Sequence, residues 1–403
     1  MPTRSVHKVR MLGVDDVRES NELKLLHIIR DRQPISRAEL VAFTGLRAGT
    51  VSVIVNRLLR AGVVHEANIA PSSGGRPATY LQMNAERAYV VGMNIGVRQT
   101  TYGVSDFNGR ILSQRSVRTD ADAPAFLKHL GKEIAGQIGT TFQRARFAGV
   151  GVSVPGLIDR TKGHLVVSPN LGWRDVPICP ILESELDLPV QVENDANAAA
   201  LSELWYGPME IWSAHCLLFV LVVEGIGTGL LLNGEVYAGS RIGTGGFGHI
   251  PMDPHGPECS CGSIGCWEML ASDCAMLSRF MASGHSGGEH PSSVRDLISL
   301  AQSGHEAAQR ELLHTASLIG RGVKCLAQGL APEVIVIGGQ IAAAWPMIEP
   351  TLQAELHGEY LLPGISQPQL RPASVEQPGW FGTFPIALRR ALHCRSKLRS
   401  NPG

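Results

Sequence analysis

The chain has 403 residues, 44% of them hydrophobic and 18% charged, with 36 basic against 36 acidic side chains. That length is expected to hold two or three domains with ample apolar content for their cores, and the balanced charge argues neither for nor against a nucleic-acid partner. No signal peptide and no apolar run long enough to span a bilayer is read, so a cytoplasmic protein without a membrane partner is expected. Cys179, Cys216, Cys274, Cys325 and Cys394 are scattered and read as small buried residues, which suits a reducing compartment.

Residues 21–32, NELKLLHIIRDR, place Leu23, Leu26 and Ile29 on one helical stripe with Leu25 and Ile28 beside it. Pro34 ends that helix. Ser36 then caps a second helix over about 36–43, with Glu39 three positions on completing a capping box. After a turn at Thr44-Gly45, a third helix is expected from about Arg47 to Arg60. Its apolar set is Val51, Ile54, Val55, Leu58 and Leu59, which leaves Arg47, Thr50, Ser52, Asn56, Arg57 and Arg60 outside.

A helix, a turn and a basic outward-facing helix suit entry into a DNA major groove. Over residues 1–66 eleven Lys/Arg oppose seven Asp/Glu, so this segment is basic within a neutral chain. Gly62-Val63-Val64 reads as the first strand of a wing that returns near Tyr80-Leu81. The pattern therefore predicts a winged helix-turn-helix over 1–82, the other reading being a three-helix adaptor or dimerisation module. Between the wing strands lies PSSGGRPATY. Arg76 there is either a minor-groove contact or a solvated arginine on a loop tip.

From Tyr89 the pattern becomes α/β. Paired strands turn at Gly96-Val97 and Asn108-Gly109, and a helix follows at about 124–142. FAGVGVSVPGLID reads as a buried strand ending in a Pro-Gly turn, and VQVENDANAAALSELW as a short strand feeding a helix. A second strand set opens at CLLFVLVVEGIGTGLLLNGEVYAG, and PEVIVIGGQIAAA reads as strand, glycine turn and helix start. Lobes are expected at 83–205 and 206–380, then a C-terminal helix and basic tail over 381–403. Pro385 falls within that helix, and Arg389, Arg390, Arg395, Lys397 and Arg399 lie in the tail.

The run Gly248 to Glu268 carries His249, Cys259, Cys261 and Cys266. Cys3His is one of the usual ligand sets of a closed, tetrahedral structural zinc site, and Gly262 and Gly265 suit the tight turns it needs. Free thiols, or a disulfide with one thiol over, are the alternatives.

Two lobes, each opening with a glycine-turned hairpin, resemble the actin-like ATP-binding architecture. The winged helix-turn-helix, GGRP, SVPGLID, SPNLGW, ENDANAAALSE, the second glycine hairpin, GHI…CSCGSIGCWE and VIVIGG occur in the order of the ROK family (repressor, open reading frame, kinase) over about residues 20–345. The chain resembles the repressor branch of that family. The resemblance implies a transcription regulator, most simply a repressor of carbohydrate-related genes. Its kinase-like body would bind a sugar or sugar-derived effector, and the protein would be a homodimer or homotetramer on palindromic operator DNA.

The resemblance also places sugar contacts at Asn170, Asn194, Asp195, His249 and Glu268, with Asp195 where the kinases keep their general base. In the first hairpin, however, the kinases' Asp-x-Gly-x-Thr is Asn94-Ile95-Gly96-Val97-Arg98, and Glu224 replaces a threonine in the second. These departures predict a body without phosphoryl-transfer activity; an active ATP-dependent sugar kinase with an appended DNA-binding head is the alternative. The family's Gly-Glu-x-Gly-His is Gly245-Gly246-Phe247-Gly248-His249 here, so Gly246 removes a carboxylate that grips a sugar hydroxyl.

Overall fold

A computed structural model describes residues 14–67, 79–237, 239, 246–284, 290–357 and 367–388. Arg76 and the basic tail residues from Arg389 onward lie outside the described residues. The chain divides into two compact units between Arg87 and Ala88. The first runs past the expected end at 82 because Asn84 and Arg87 donate side-chain hydrogen bonds to Gly62 O and Ala61 O.

In the first unit, α1 (Val14–Arg32) buries Leu25, Leu26, Ile28 and Ile29. It starts before the expected residue 21, in a polar stretch where no apolar stripe marks a helix. A short strand β1 (Ile35–Ser36) leads into α2 (Arg37–Thr44). The capping box forms: Ser36 Oγ accepts from Glu39 N, and a Glu39 carboxylate oxygen accepts from Ser36 N at 2.7 Å. Gly45, at φ 65°, closes the helix in the left-handed conformation that a side chain would strain.

Helix α3 (Ala48–Ala61) buries Val51, Ile54, Val55 and Leu58 against that core. Strands β2 (Val64–Ala67) and β3 (Tyr80–Met83) pair antiparallel as the wing, and β1 adds to the far edge in the order β1-β3-β2. Three helices and a winged sheet result.

The second unit opens with the hairpin strands β4 (Tyr89–Ile95) and β5 (Gln99–Asp106), then β6 (Ile111–Arg118) and helix α4 (Ala123–Thr141). Next come β7 (Phe147–Val154), a small sheet of β8 (Leu157–Asp159), β9 (His164–Ser168) and β10 (Trp173–Val176), and helix α5 (Ile178–Leu186). Strand β11 (Val190–Asn194) completes a five-stranded sheet in the order β11-β7-β4-β5-β6, and α6 (Asp195–Tyr206) follows directly. Val91, Met93, Val150, Val152, Leu127 and Leu130 are among the residues that make this lobe's core.

After α7 (Met209–Ser213), the second lobe repeats the plan with β12 (Cys216–Val222), β13 (Ile226–Leu232) and β14 (Glu235–Val236). Helices α8 (Trp267–Ala271), α9 (Asp273–Ala282), α10 (Val294–Gln302) and α11 (Glu306–Leu330) precede β15 (Val334–Gly339), α12 (Trp345–His357), β16 (Gln369–Pro372) and α13 (Pro378–Phe381). The sheet order is β14-β13-β12-β15-β16.

Two close approaches tie the lobes together. Helix α6 lies so near β13 that a Cβ at Gly227 would come within 2.9 Å of Ala196 Cβ, and one at Gly229 would meet Ala196 O and Ala200 Cβ. The C-terminal segment returns to the first sheet, where Thr383 fills the space a side chain at Gly92 or Gly151 would need. Residues 383–388 are helical, with Pro385 in the first turn, where its missing N–H removes no internal bond.

Candidate functional site

On α3, residues Arg47, Thr50, Asn56 and Arg57 are exposed and Ser52 is half-buried. Arg47 is the N-cap residue, and its carbonyl accepts from Thr50 N and Val51 N. Arg57 Nη1 reaches Glu22 Oε2 at 2.7 Å. Asn56 Oδ1 accepts from Arg37 Nη1 at 3.0 Å, while Arg37 Nη2 holds Glu66 at 3.1 Å. These exposed ion pairs stabilise the head by at most about 1 kcal/mol each, so a phosphate can displace them at little cost.

In the body, the structure places Asn170, His249 and Glu268 around the turn between β12 and β13. A Cβ at Gly225 would lie 2.8 Å from Glu268 Oε2 and 3.5 Å from Asn170 Nδ2, so glycine there leaves room for both polar ends. The other Glu268 oxygen sits 3.1 Å from His249 Nδ1. Asp195 approaches the same hairpin at Gly227, 3.9 Å from a Cβ built there.

Asn194 has a different part. It is the N-cap of α6, accepting from Ala196 N and Asn197 N, while its Nδ2 donates to Gly156 O at 3.1 Å. It thereby locks the Pro-Gly turn to the helix and leaves the Asp195 carboxyl facing β13. Burial, with neighbouring Glu224 adding to it, pushes that carboxyl up to about 6. A carboxyl so placed holds or accepts a proton near neutral pH.

Asn94 stands next to Ser153, whose Oγ lies 2.7 Å from Asn94 Oδ1 and 3.0 Å from Gly379 O. The hydroxyl has one proton to donate, so it alternates between them. Asp273 is a residue that sequence reasoning passed over. Its amide donates to Val223 O at 2.9 Å, against the second hairpin, and its buried Oδ1 has no hydrogen-bond partner among the described residues. Burial, then Glu224, pushes its carboxyl up to about 7. Glu224 is far off in sequence, and no local pattern signals Asp273.

His249, Cys259, Cys261 and Cys266 bring their ligand atoms within 4.8 Å of one another. Cys259 Sγ lies 3.5 Å from His249 Nδ1, and Cys261 Sγ 3.6 Å from Cys266 Sγ. Tetrahedral zinc with bonds of about 2.1 Å to nitrogen and 2.3 Å to sulfur sets such edges at roughly 3.5–3.8 Å. The sulfurs are much too far apart for a disulfide bond of about 2.05 Å, and these cysteines are free. Cys259 N donates to Ser263 O, and Gly265 N to Pro257 O. Gly265, at φ 63°, presses against Asp253 O, where no side chain fits. The backbone itself presets the cluster, and the donor set fits a metal ion.

The ROK family matches residues 90–390. This chain belongs to the ROK family. A winged helix-turn-helix DNA-binding family matches residues 18–65. The xylose repressor of Bacillus subtilis (strain 168) is 30% identical over 363 residues, covering 90% of this chain and 92% of that protein. A ROK family transcriptional regulator, a homologue of the E. coli MLC protein, has the same fold, with a TM-score of 0.74 at 24% identity over 93% of this chain and 96% of that one. A ROK family glucokinase from Streptomyces griseus, solved with glucose and AMPPNP, matches with a TM-score of 0.67 at 26% identity, covering 75% of this chain and 100% of its own. The kinase thus corresponds to three quarters of this ROK protein. A winged helix-turn-helix head followed by a ROK body, actin-like and of sugar-kinase fold, is the architecture.

Proposed function

We propose that this protein is a DNA-binding transcriptional repressor of carbohydrate-related genes, whose ROK body binds a sugar or sugar-derived effector that weakens operator binding. The observation that carries this reading is the winged helix-turn-helix head on a ROK body, matched over nearly its whole length by the xylose repressor. Arg47, Thr50, Ser52, Asn56 and Arg57 contact the operator, with the α3 N-terminus turned to a phosphate. Asn170, Asp195, His249 and Glu268 hold the effector's hydroxyls, and Asn194 shapes the turn beneath them. Two heads on one palindrome require a homodimer or homotetramer. The protein works in the bacterial cytoplasm, on the nucleoid when bound.

His249 and the three cysteines hold a structural zinc ion. Glu268 couples it to the effector, having one oxygen by His249 and the other by Asn170. When bound, zinc fixes the loop that positions His249.

The body does not transfer phosphate. Asn94 supplies an amide, hydrogen-bonded to Ser153, where a carboxylate steers the metal of a kinase. Glu224 adds a negative charge beside Asp195 where phosphates would lie. Asp195 itself favours the kinase alternative, since its carboxyl is poised as a base. Thermal unfolding against a panel of sugars, including xylose and N-acetylglucosamine, with and without Mg-ATP, separates the readings. A shift with one sugar alone supports the repressor. A shift that needs Mg-ATP, with ADP release, overturns it in favour of the kinase.

A further inference from the structure

The solvent-facing stripe of α3 runs through Gly49, Thr50, Val53, Asn56, Arg57 and Arg60, all exposed and spaced at three and four. Val53 stands at its centre and is 57% exposed, the highest value among the exposed large apolar side chains of the described residues. A β-branched residue is a poor choice for an exposed helix position, and its methyls gain nothing from water.

Its surroundings give the position a meaning. Toward the C-terminus of the helix, the polar members of the stripe are engaged inside the head. Asn56 accepts from Arg37, Arg57 pairs with Glu22, and Arg60 Nε donates to Asn56 O at 3.2 Å. Toward the N-terminus, the half that reads base edges in helix-turn-helix proteins, the exposed residues are Ala48, Gly49 and Thr50, which carry little bulk. Val53 therefore projects from a low, nearly apolar surface flanked by arginines at 47, 57 and 60. Between Thr50 and Asn56, Val53 itself offers an apolar contact and no hydrogen-bonding group.

The apolar feature that base edges present in the major groove is the 5-methyl group of thymine. We infer that Val53 is a specificity-determining residue that packs its methyls on a thymine 5-methyl group in each operator half-site, bordered by the Thr50 methyl. This rests on the repressor reading and adds what that reading lacks, the base that the helix selects. The arginines supply phosphate affinity, which is blind to sequence.

The test uses the full-length protein and duplexes selected from a random library. In the selected duplex, each thymine is replaced in turn by deoxyuridine, which removes one methyl and leaves every hydrogen-bonding group in place. Wild-type protein should lose about three- to tenfold in affinity at one such position per half-site. Val53→Ala should lose a similar factor on the thymine duplex and be indifferent to deoxyuridine there, with its salt slope unchanged. Val53→Thr, which keeps one methyl, should fall between them. Equal sensitivity to deoxyuridine in wild type and Val53→Ala overturns the assignment, as does a selected site with no methyl-sensitive thymine. Failure to select any duplex overturns the repressor reading itself, and this inference with it.

Discussion

At the scale of single residues, the departures from the family pattern are the most testable features. By its resemblance to the family pattern, Gly246 takes the place of a glutamate, and a Cβ built there meets no atom of the described residues within 4 Å. Among the described residues, nothing blocks a side chain there. Gly246→Glu is expected to tighten a sugar effector by about 1.5–3 kcal/mol, the worth of a hydrogen bond between a charged group and a hydroxyl. Calorimetric titration measures it, and an unchanged constant would mean that position 246 does not face the effector.

Asp273 makes a second residue-scale prediction. Its carboxyl rises from 3.8 to about 7 on folding, so the folded state keeps a proton that the unfolded chain releases. Stability is then undiminished below about pH 4 and is lost as pH rises from there through 7. Asp195, raised to about 6, acts with the same sign over a narrower window. Asp273→Asn cannot ionise. It should match wild type near pH 4 and exceed it at pH 8 by on the order of 4 kcal/mol, read from denaturant unfolding at the two pH values. An equal gain at both would assign the effect to something other than the proton.

At the scale of elements, the chain was legible where local chemistry decides the outcome. Ser36 and Glu39 made the capping box they announce, and the glycine hairpins turned at the residues that permit it. The long helix α11 is legible too, since its buried residues Ala308, Leu312, Ile319, Val323 and Leu326 recur at helical spacing, although no expectation covered it. Legibility failed where partners are distant in sequence. Nothing near Asn194 says that its amide will hold Gly156, and nothing near Arg57 points to Glu22. The alanine run of α6 is explained by what packs against it from afar: Gly229 of β13 has Ala196 O and Ala200 Cβ where a side chain would be, and Gly382 has Ala198 O. Gly229→Ala must move a backbone carbonyl, so it should cost about 1–3 kcal/mol, measured by denaturant unfolding of the whole chain. A neutral result would show that α6 can slide on the second sheet.

At the scale of the whole molecule, regulation is a statement about linked equilibria. If an effector lowers operator affinity by some factor, operator must lower effector affinity by the same factor, whatever movement connects the two units. Coupling of this kind is usually about 1–3 kcal/mol, or some 5- to 150-fold. Titrating the effector into free protein and into protein saturated with operator should therefore give constants whose ratio equals the shift in operator affinity with and without effector. Gly246→Glu offers a control. A change confined to the effector site should strengthen binding to both forms equally and leave that ratio untouched. A ratio that changes with Gly246→Glu would place the residue in the element that carries the coupling. Effector binding that is identical with and without operator would remove the sugar from the regulation altogether. The ROK body would then hold a ligand to which the head does not respond, and control would have to come through another surface of the protein.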